Sequence, residues 1–237
     1  IPYLNASLFS FTYTSENVSL LPSLINTLIM TLVSLAIAAP VGIFAAIFLV
    51  EYAKKGSRFV KLIRITAETL SGIPSIVYGL FGMLFFVTAL HWGMSLLSGA
   101  LTMVIMVLPL IMRTAEEALK SVPDSYREAS FGLGAGKLRT IFTIVLPSAV
   151  PGILAGVILA IGRVVGETAA LLYTSGTVAA VPNSLMGSGR TLALHMYVLS
   201  SEGLHVNQAS ATAVVILAFV LVINGLSGLV ARKIAKG

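Results

Sequence analysis

Long apolar runs separated by polar stretches set the reading of this chain. Residues 24–50 carry no charge, and 75–90, 95–112, 140–175 and 207–231 are similarly apolar. A membrane-crossing helix needs about 20 such residues, so the pattern predicts five spans. Pro40 with Gly42 interrupts the first run and Pro109 breaks the third, whose helix is expected to continue through Arg113 to Leu119. Pro147 and Pro151 are expected to bend the start of the fourth. Membrane helices tolerate such residues where neighbours re-satisfy the backbone.

The polar stretches have characters of their own. Residues 1–23 are turn-rich, lack Lys and Arg, and read as an extracytoplasmic N-terminal segment. Residues 51–64 form a basic connector with an amphipathic helix, and 66–75 a helix-breaking elbow inserted partly with the second span. His91-Trp92-Gly93 suits an interface turn, because Trp prefers that depth. Residues 176–206 form a long polar connection with a short helix, Ser188–Ser200.

Composition sharpens the class. Only 10% of the 237 residues are charged and 57% are hydrophobic, with mean hydropathy +0.99. Soluble domains carry about 25% charged residues, so this is an integral membrane protein. The absence of cysteine excludes disulfides, thiol catalysis and Cys-ligated metals. The net charge of +6 reflects topology rather than nucleic-acid binding. Thirteen of the fifteen Lys and Arg lie in 51–64, 113–139 and 232–236, which share one side if there are five spans. The positive-inside rule then places the start outside, with 121–147 and the C-terminus inside. The chain begins at Ile1 with no signal-peptide pattern, and one further helix is expected upstream.

Two polar islands carry candidate chemistry. In the first, Ser121 can cap a helix, Pro123 suits its first turn and Asp124 sits where the helix dipole favours an anion. Tyr126, Ala129, Ser130 and Leu133 fall at i, i+3, i+4 and i+7 and share a face, with Arg127 and Glu128 off it. Gly132, Gly134 and Gly136 end the helix. The alternative is an ordinary amphipathic loop helix. Gly132 to Lys137 is no phosphate loop, because that motif needs Gly where Phe131 stands and Ser or Thr where Leu138 stands. The chain therefore has no ATP site.

The second island is Arg163 and Glu167, flanked by Gly162 and Gly166. Arg163 lies sixteen residues past Pro147, about 24 Å along a helix and deep in the membrane. The pair sits at i, i+4, in the less favourable order for helix support. Intramembrane charges usually face a cavity or partner, and Arg offers a planar fork matched to oxyanions. Glu167 could hold Arg163, or accept a hydrogen bond from a protonated oxyanion such as phosphate. A structural ion pair is the plainer reading. Arg113 is either a snorkelling interface residue or a second anion contact. Glu116 and Glu117 read as solvated charges, and the role of Glu68 is open. His195 and His205 read as residues of the outer connection, with no metal pattern.

Glu128-Ala129-Ser130, Gly134 and Ile144-Val145-Leu146-Pro147 resemble the coupling loop of ABC importer permeases, with Ser130 in place of the usual second Ala. Ser71–Gly82, Pro109–Leu119, Gly162–Thr174 and Ser188–Leu199 together resemble phosphate ABC transporter permeases of the PstA type, over nearly the whole chain. This resemblance implies an all-α, polytopic bundle of the type I ABC importer permease (MetI-like) kind, with 24–236 as its transmembrane domain. It implies a non-enzymatic subunit of a bacterial or archaeal cell membrane, without cofactor, forming half of a phosphate pathway. Tyr126, Arg127, Glu128, Ala129, Ser130 and Gly134 would couple it to the ATPase, and Arg113, Arg163 and Glu167 would line the path. The implied partners are a C-type permease, a cytoplasmic ATPase dimer and a periplasmic or lipid-anchored phosphate-binding protein, in membrane lipid. A permease for sulfate or molybdate is the near alternative. An ion-coupled secondary transporter using Arg163 and Glu167 as a relay is a further one, and an intramembrane hydrolase is remote.

Overall fold

A computed structural model describes residues 19–54, 56–203 and 205–235. The expected polar segment 1–23 lies outside them up to residue 18. Among the described residues every regular element is a helix. In order these are α1 (Leu21–Ile47), α2 (Arg58–Ser71), α3 (Ser75–Gly82), α4 (Leu96–Lys120), α5 (Asp124–Gly132), α6 (Lys137–Thr140), α7 (Leu146–Gly166), α8 (Ala169–Thr174), α9 (Leu192–Glu202) and α10 (Val206–Ala235). Wider π-helical turns extend α1 through Phe48–Tyr52 and α3 through Met83–Ala89, and join α6 to α7 at Ile141–Val145.

Four stretches are long and apolar enough to cross a membrane: Leu21–Tyr52, Leu96–Lys120, Lys137–Gly166 and Val206–Gly225. A fifth candidate is the stretch from α2 through α3, which bends by 101° between the two helices. The chain is thus a multi-pass membrane protein. Several boundaries differ from the sequence pattern. Helices α1 and α4 run unbroken through Pro40 and Pro109. Around Pro40 the packing is tight: a Cβ on Gly42 would lie 2.9 Å from Ile111 Cγ2. The elbow is confined to residues 72–74, since α2 persists to Ser71. Helix α9 starts at Leu192, not Ser188, because Ser188, Gly189 and Arg190 bond to other segments.

The chain forms two compact units, and α1, α4, α7 and α10 each contribute to both. The first comprises residues 1–36, 73–106 and 161–222. Here α3 packs on α8 so closely that a Cβ on Gly79 would lie 2.8 Å from the Ala170 Cα. Small residues let membrane helices approach in this way. The connection before α9 is stitched to α1. Asn26 Nδ2 donates to the carbonyls of Ala180 (2.9 Å) and Arg190 (3.2 Å), and Thr27 Oγ1 accepts from the Leu192 N–H at 2.8 Å. The sequence pattern read this stretch as an outer polar connection. Within it Arg190, Thr191 and His195 are buried, and the bonds from Asn26 and to Thr27 supply the backbone partners that burial removes from water.

The second unit comprises residues 37–72, 107–160 and 223–237. Its core gathers Ala46 and Leu49 from the first span, Val60 and Ala67 from α2, Ala115 and Leu119 from α4, and Ile141, Val145 and Ile153 from the α6–α7 stretch.

Burial, reinforced by the nearby Arg190 cation, holds the His195 imidazole down to about 3. A folded-state value below the ordinary 6.5 means that the unfolded chain binds the proton more readily. The resulting stability is full above about pH 6.5 and is lost as pH falls toward about 3. Between about pH 7 and 5 the expected loss is about 2 kcal/mol. Thermal unfolding of the purified protein against pH checks this, with His195→Gln expected to flatten the slope.

Candidate functional site

Helix α5 is short, and by itself nine residues would not hold a helix in water. Its start is not capped by Ser121: that hydroxyl donates to the Ala118 carbonyl at 2.8 Å, closing the end of α4. Pro123 precedes the first turn and Asp124 opens it. Leu133 follows the helix, and Gly134, with φ +79°, turns the chain away through a conformation that glycine adopts without strain.

What fixes α5 is Arg127. Its Nε and Nη2 donate to Glu51 Oε1 at 3.1 and 2.8 Å. Nη2 also donates to the Leu119 carbonyl (3.0 Å), and Nη1 to the Val122 carbonyl (2.8 Å) and to Asp124 Oδ1 (3.1 Å). Both charged groups are largely buried, at 14% and 9% side-chain exposure. The sequence grouped Arg127 with the docking residues, but its side chain turns inward and anchors the helix to the ends of the first span and α4. Ser130 also turns inward: its hydroxyl meets Thr140 Oγ1 at 2.8 Å, a bond that alanine could not make. Lys137 Nζ lies 4.7 Å from the centre of the Tyr52 ring, a second tie between this loop and the first span.

With these groups turned in, the outward side is mainly apolar, with Glu128 and Arg139 exposed on it and Arg139 and Thr143 at the groove. Tyr126, Phe131, Leu133 and Leu138 are exposed, Leu133 at 90%. Glu128, Ala129 and Gly134 are exposed as well. A groove of about 530 Å³ is lined by Tyr126, Ala129, Ser130, Leu133, Gly134 and Ile144. An exposed apolar cleft of this kind marks an interaction site.

Helix α7 ends at Gly166, and Glu167 follows directly, its N–H still bonded to the Val164 carbonyl at 3.3 Å. Glu167 opens the two-residue break before α8, and its Oε1 accepts from the Ala170 N–H at 3.1 Å. That carboxylate caps the first turn of α8, where a negative charge is favoured. Arg163 and Glu167 form no ion pair among the described residues. Arg163 is half-buried on the last turn of α7, within electrostatic reach of the Tyr78 hydroxyl on α3. Both residues belong to the first unit, whereas Arg113 belongs to the second.

Arg113 is exposed and lines a depression of about 190 Å³ with Arg64, Glu68, Glu116, Glu117 and Lys120. Glu116, read from the sequence as solvated, is buried. Its Oε1 receives Lys120 Nζ at 2.6 Å and Arg64 Nη2 at 2.7 Å, tying α2 to α4. Sequence reasoning passed over Glu51. With nine acidic residues in the chain, an acid directly after an uncharged run of 27 residues was a usable signal for Glu51. Among the described residues there is no cluster of three or more His, Asp or Glu that could hold a metal ion.

Breaking the Arg127–Glu51 pair leaves a largely buried charge unpaired, which costs about 3 kcal/mol. Glu51→Gln is expected to lower the unfolding midpoint of the purified protein clearly. Arg127→Lys should do nearly as much, because an ammonium cannot reproduce the guanidinium fork. Asp124→Asn, exposed at 83%, should change it little.

Residues 38–236 match the family of binding-protein-dependent transport system inner membrane components. The chain is 34% identical to the probable ABC transporter permease protein YqgI of Bacillus subtilis over 231 residues, covering 89% of this chain and 78% of that protein. It is 42% identical to the phosphate transport system permease protein PstA 1 of Mycobacterium tuberculosis over 154 residues, covering 65% of this chain and 50% of that one. The chain thus spans about half the length of that PstA relative. Among solved structures, one chain of the inward-facing MetNI methionine ABC transporter superposes with TM-score 0.70 at 18% identity, covering 90% of this chain and 93% of that one. A chain of the bacterial alginate ABC transporter in complex with its pentasaccharide-bound periplasmic protein gives TM-score 0.69 at 18% identity, covering 91% and 79%. These likenesses carry the fold.

Proposed function

The chain belongs to the family of binding-protein-dependent transport system inner membrane components, and from that premise we propose that it is the PstA-type permease subunit of an ATP-driven phosphate importer. The observation that carries this reading is the inward-anchored α5 with its apolar outer groove, in a chain 42% identical to a PstA protein over 154 residues. The partners are a second, C-type permease, a cytoplasmic ATPase dimer and a periplasmic or lipid-anchored phosphate-binding protein. The basic segments 51–64 and 113–139 face the cytoplasm.

The ATPase docks on Tyr126, Glu128, Ala129 and Gly134, with Arg127 and Ser130 holding that surface in place. When nucleotide closes the ATPases, α5 moves with them, and its ties to Glu51, Leu119 and Thr140 pass the motion to the first span, α4 and the α6–α7 stretch. Arg163 is the principal anion contact. Its partner Glu167 acts by holding the break between α7 and α8 open rather than by neutralising the guanidinium. An unneutralised guanidinium is available to a phosphate oxygen as a charge-assisted donor. Arg113 offers a further contact beside the depression at the end of α4.

The test is phosphate-stimulated ATP hydrolysis and uptake in vesicles holding the full-length chain with its permease, ATPase and binding-protein partners. Wild type should respond to phosphate-loaded binding protein. Arg163→Gln should cut uptake at least about 100-fold, the scale of one charged contact at about 3 kcal/mol, while the complex stays assembled. Stimulation by sulfate or molybdate instead would keep the permease and replace its substrate. Uptake driven by an ion gradient without the ATPase would overturn the reading.

A further inference from the structure

Helix α2 has three faces, and only two are accounted for. Val60 and Ala67, one heptad apart, are buried in the core of the second unit. Arg64 reaches Glu116 on α4. The third face carries Phe59, Leu62 and Ile65 at i, i+3 and i+6, exposed by 60%, 61% and 50%. Along it stand Arg58 and Lys61, both exposed and without an ion pair among the described residues, while Lys54, before the helix, lines a separate depression with Glu51, Val60 and Arg64. Of the nearby acids, Glu51 is held by Arg127 and Glu116 by Arg64 and Lys120, whereas Glu68 forms no ion pair among the described residues. A depression of about 300 Å³ brings Glu68 together with Ser57, Lys61, Arg64 and Ile65 at one edge of the arc.

An arc of aromatic and branched side chains bordered by unneutralised cations matches one environment, the boundary between acyl chains and headgroups. The arc begins within seven residues of Tyr52, the last residue of the first membrane-crossing stretch, so it lies near the depth where that stretch leaves the hydrocarbon. Lysine and arginine stems extend along apolar surface while their charges reach outward. We propose that α2 lies in the membrane interface as a binding surface for anionic phospholipid, with Phe59, Leu62 and Ile65 among the acyl chains and Arg58 and Lys61 on the headgroup phosphates. The leaflet rests on the proposed cytoplasmic position of 51–64, and the lipid contact does not.

Trp92 is the single tryptophan of the chain, so Leu62→Trp in a Trp92→Phe background adds one reporter on the arc, read as the quenching in excess of that of the Trp92→Phe transporter itself. The assembled transporter is placed in vesicles of phosphatidylcholine with or without phosphatidylglycerol, each supplied with bromine on its acyl chains near the glycerol end. Each juxtaposed basic residue favours an anionic surface by about fivefold. Quenching of the introduced indole should therefore be stronger from brominated phosphatidylglycerol than from brominated phosphatidylcholine at equal content. The double variant Arg58→Gln, Lys61→Gln should keep quenching and lose at least about tenfold of the preference. Ile65→Trp in the same background repeats the reading at a second site, and ATPase activity of each variant reports assembly. Absence of quenching at both positions, the result for a face covered by protein, would overturn the proposal. Equal quenching by the two lipids would overturn its anionic part. Separately, Lys54→Cys in this cysteine-free chain, labelled with a membrane-impermeant maleimide from either side, reports the leaflet. Labelling from the outside would sink the cytoplasmic topology and leave the lipid contact standing.

Discussion

A guanidinium presents five N–H donors in a fixed plane and accepts nothing, and the second unit is arranged around one of them. Arg127 directs its donors to one buried carboxylate, two main-chain carbonyls and one exposed carboxylate. The Leu119 and Val122 carbonyls belong to the end of α4 and the turn after it, where a helix leaves its last carbonyls without intrahelical partners. The same side chain therefore satisfies a helix terminus, neutralises Glu51 and sets the seat of α5. No apolar residue could link those three groups. Once Arg127 and Ser130 are turned inward, Tyr126, Ala129 and Leu133 are left as the outward surface. The groove is a consequence of the anchor.

This arrangement separates two tasks that the sequence presents as one motif. Tyr126, Arg127, Glu128, Ala129, Ser130 and Gly134 fall within nine consecutive residues, and helical periodicity puts Tyr126, Ala129 and Ser130 on a common face. Periodicity cannot say how far around the helix the protein body extends. The core covers Ser130, at 4% exposure, and leaves its neighbour Ala129 exposed. The partner of Arg127 was beyond any local pattern, since Glu51 lies 76 residues away in sequence. Long-range pairs of this kind are invisible to spacing arguments, which see only i, i+3 and i+4.

The spans themselves were largely legible, because a bilayer forces the backbone to satisfy itself and only sustained apolar helices do so. What hydropathy could not rank was the strength of individual breakers. Pro40 and Pro109 interrupt nothing, since the helix on either side is apolar and packed and one lost hydrogen bond does not outweigh that. Gly166-Glu167 does break a helix, because the Glu167 carboxylate offers the Ala170 N–H an alternative partner to the carbonyl of the preceding turn. The partial burial of the polar stretch 176–191 was not legible for a related reason. Asn26 of α1 bonds its carbonyls, Thr27 accepts from the Leu192 N–H just beyond it, and Ser188 donates to the Ser175 carbonyl, all across sequence separations that no local pattern shows.

The break after Gly166 changes what Arg163 is. On an uninterrupted helix, Glu167 would follow Arg163 by one turn and the two charges would largely cancel. With the carboxylate turned to cap α8, the guanidinium remains half-buried and within electrostatic reach of the Tyr78 hydroxyl. On the proposed reading Arg163 lies at membrane depth, where a cation without a fixed counter-ion is costly and that cost falls when an anion is present. Permanent neutralisation by Glu167 would remove this effect, so on that reading the capping bond to Ala170 is what leaves Arg163 to a passing anion.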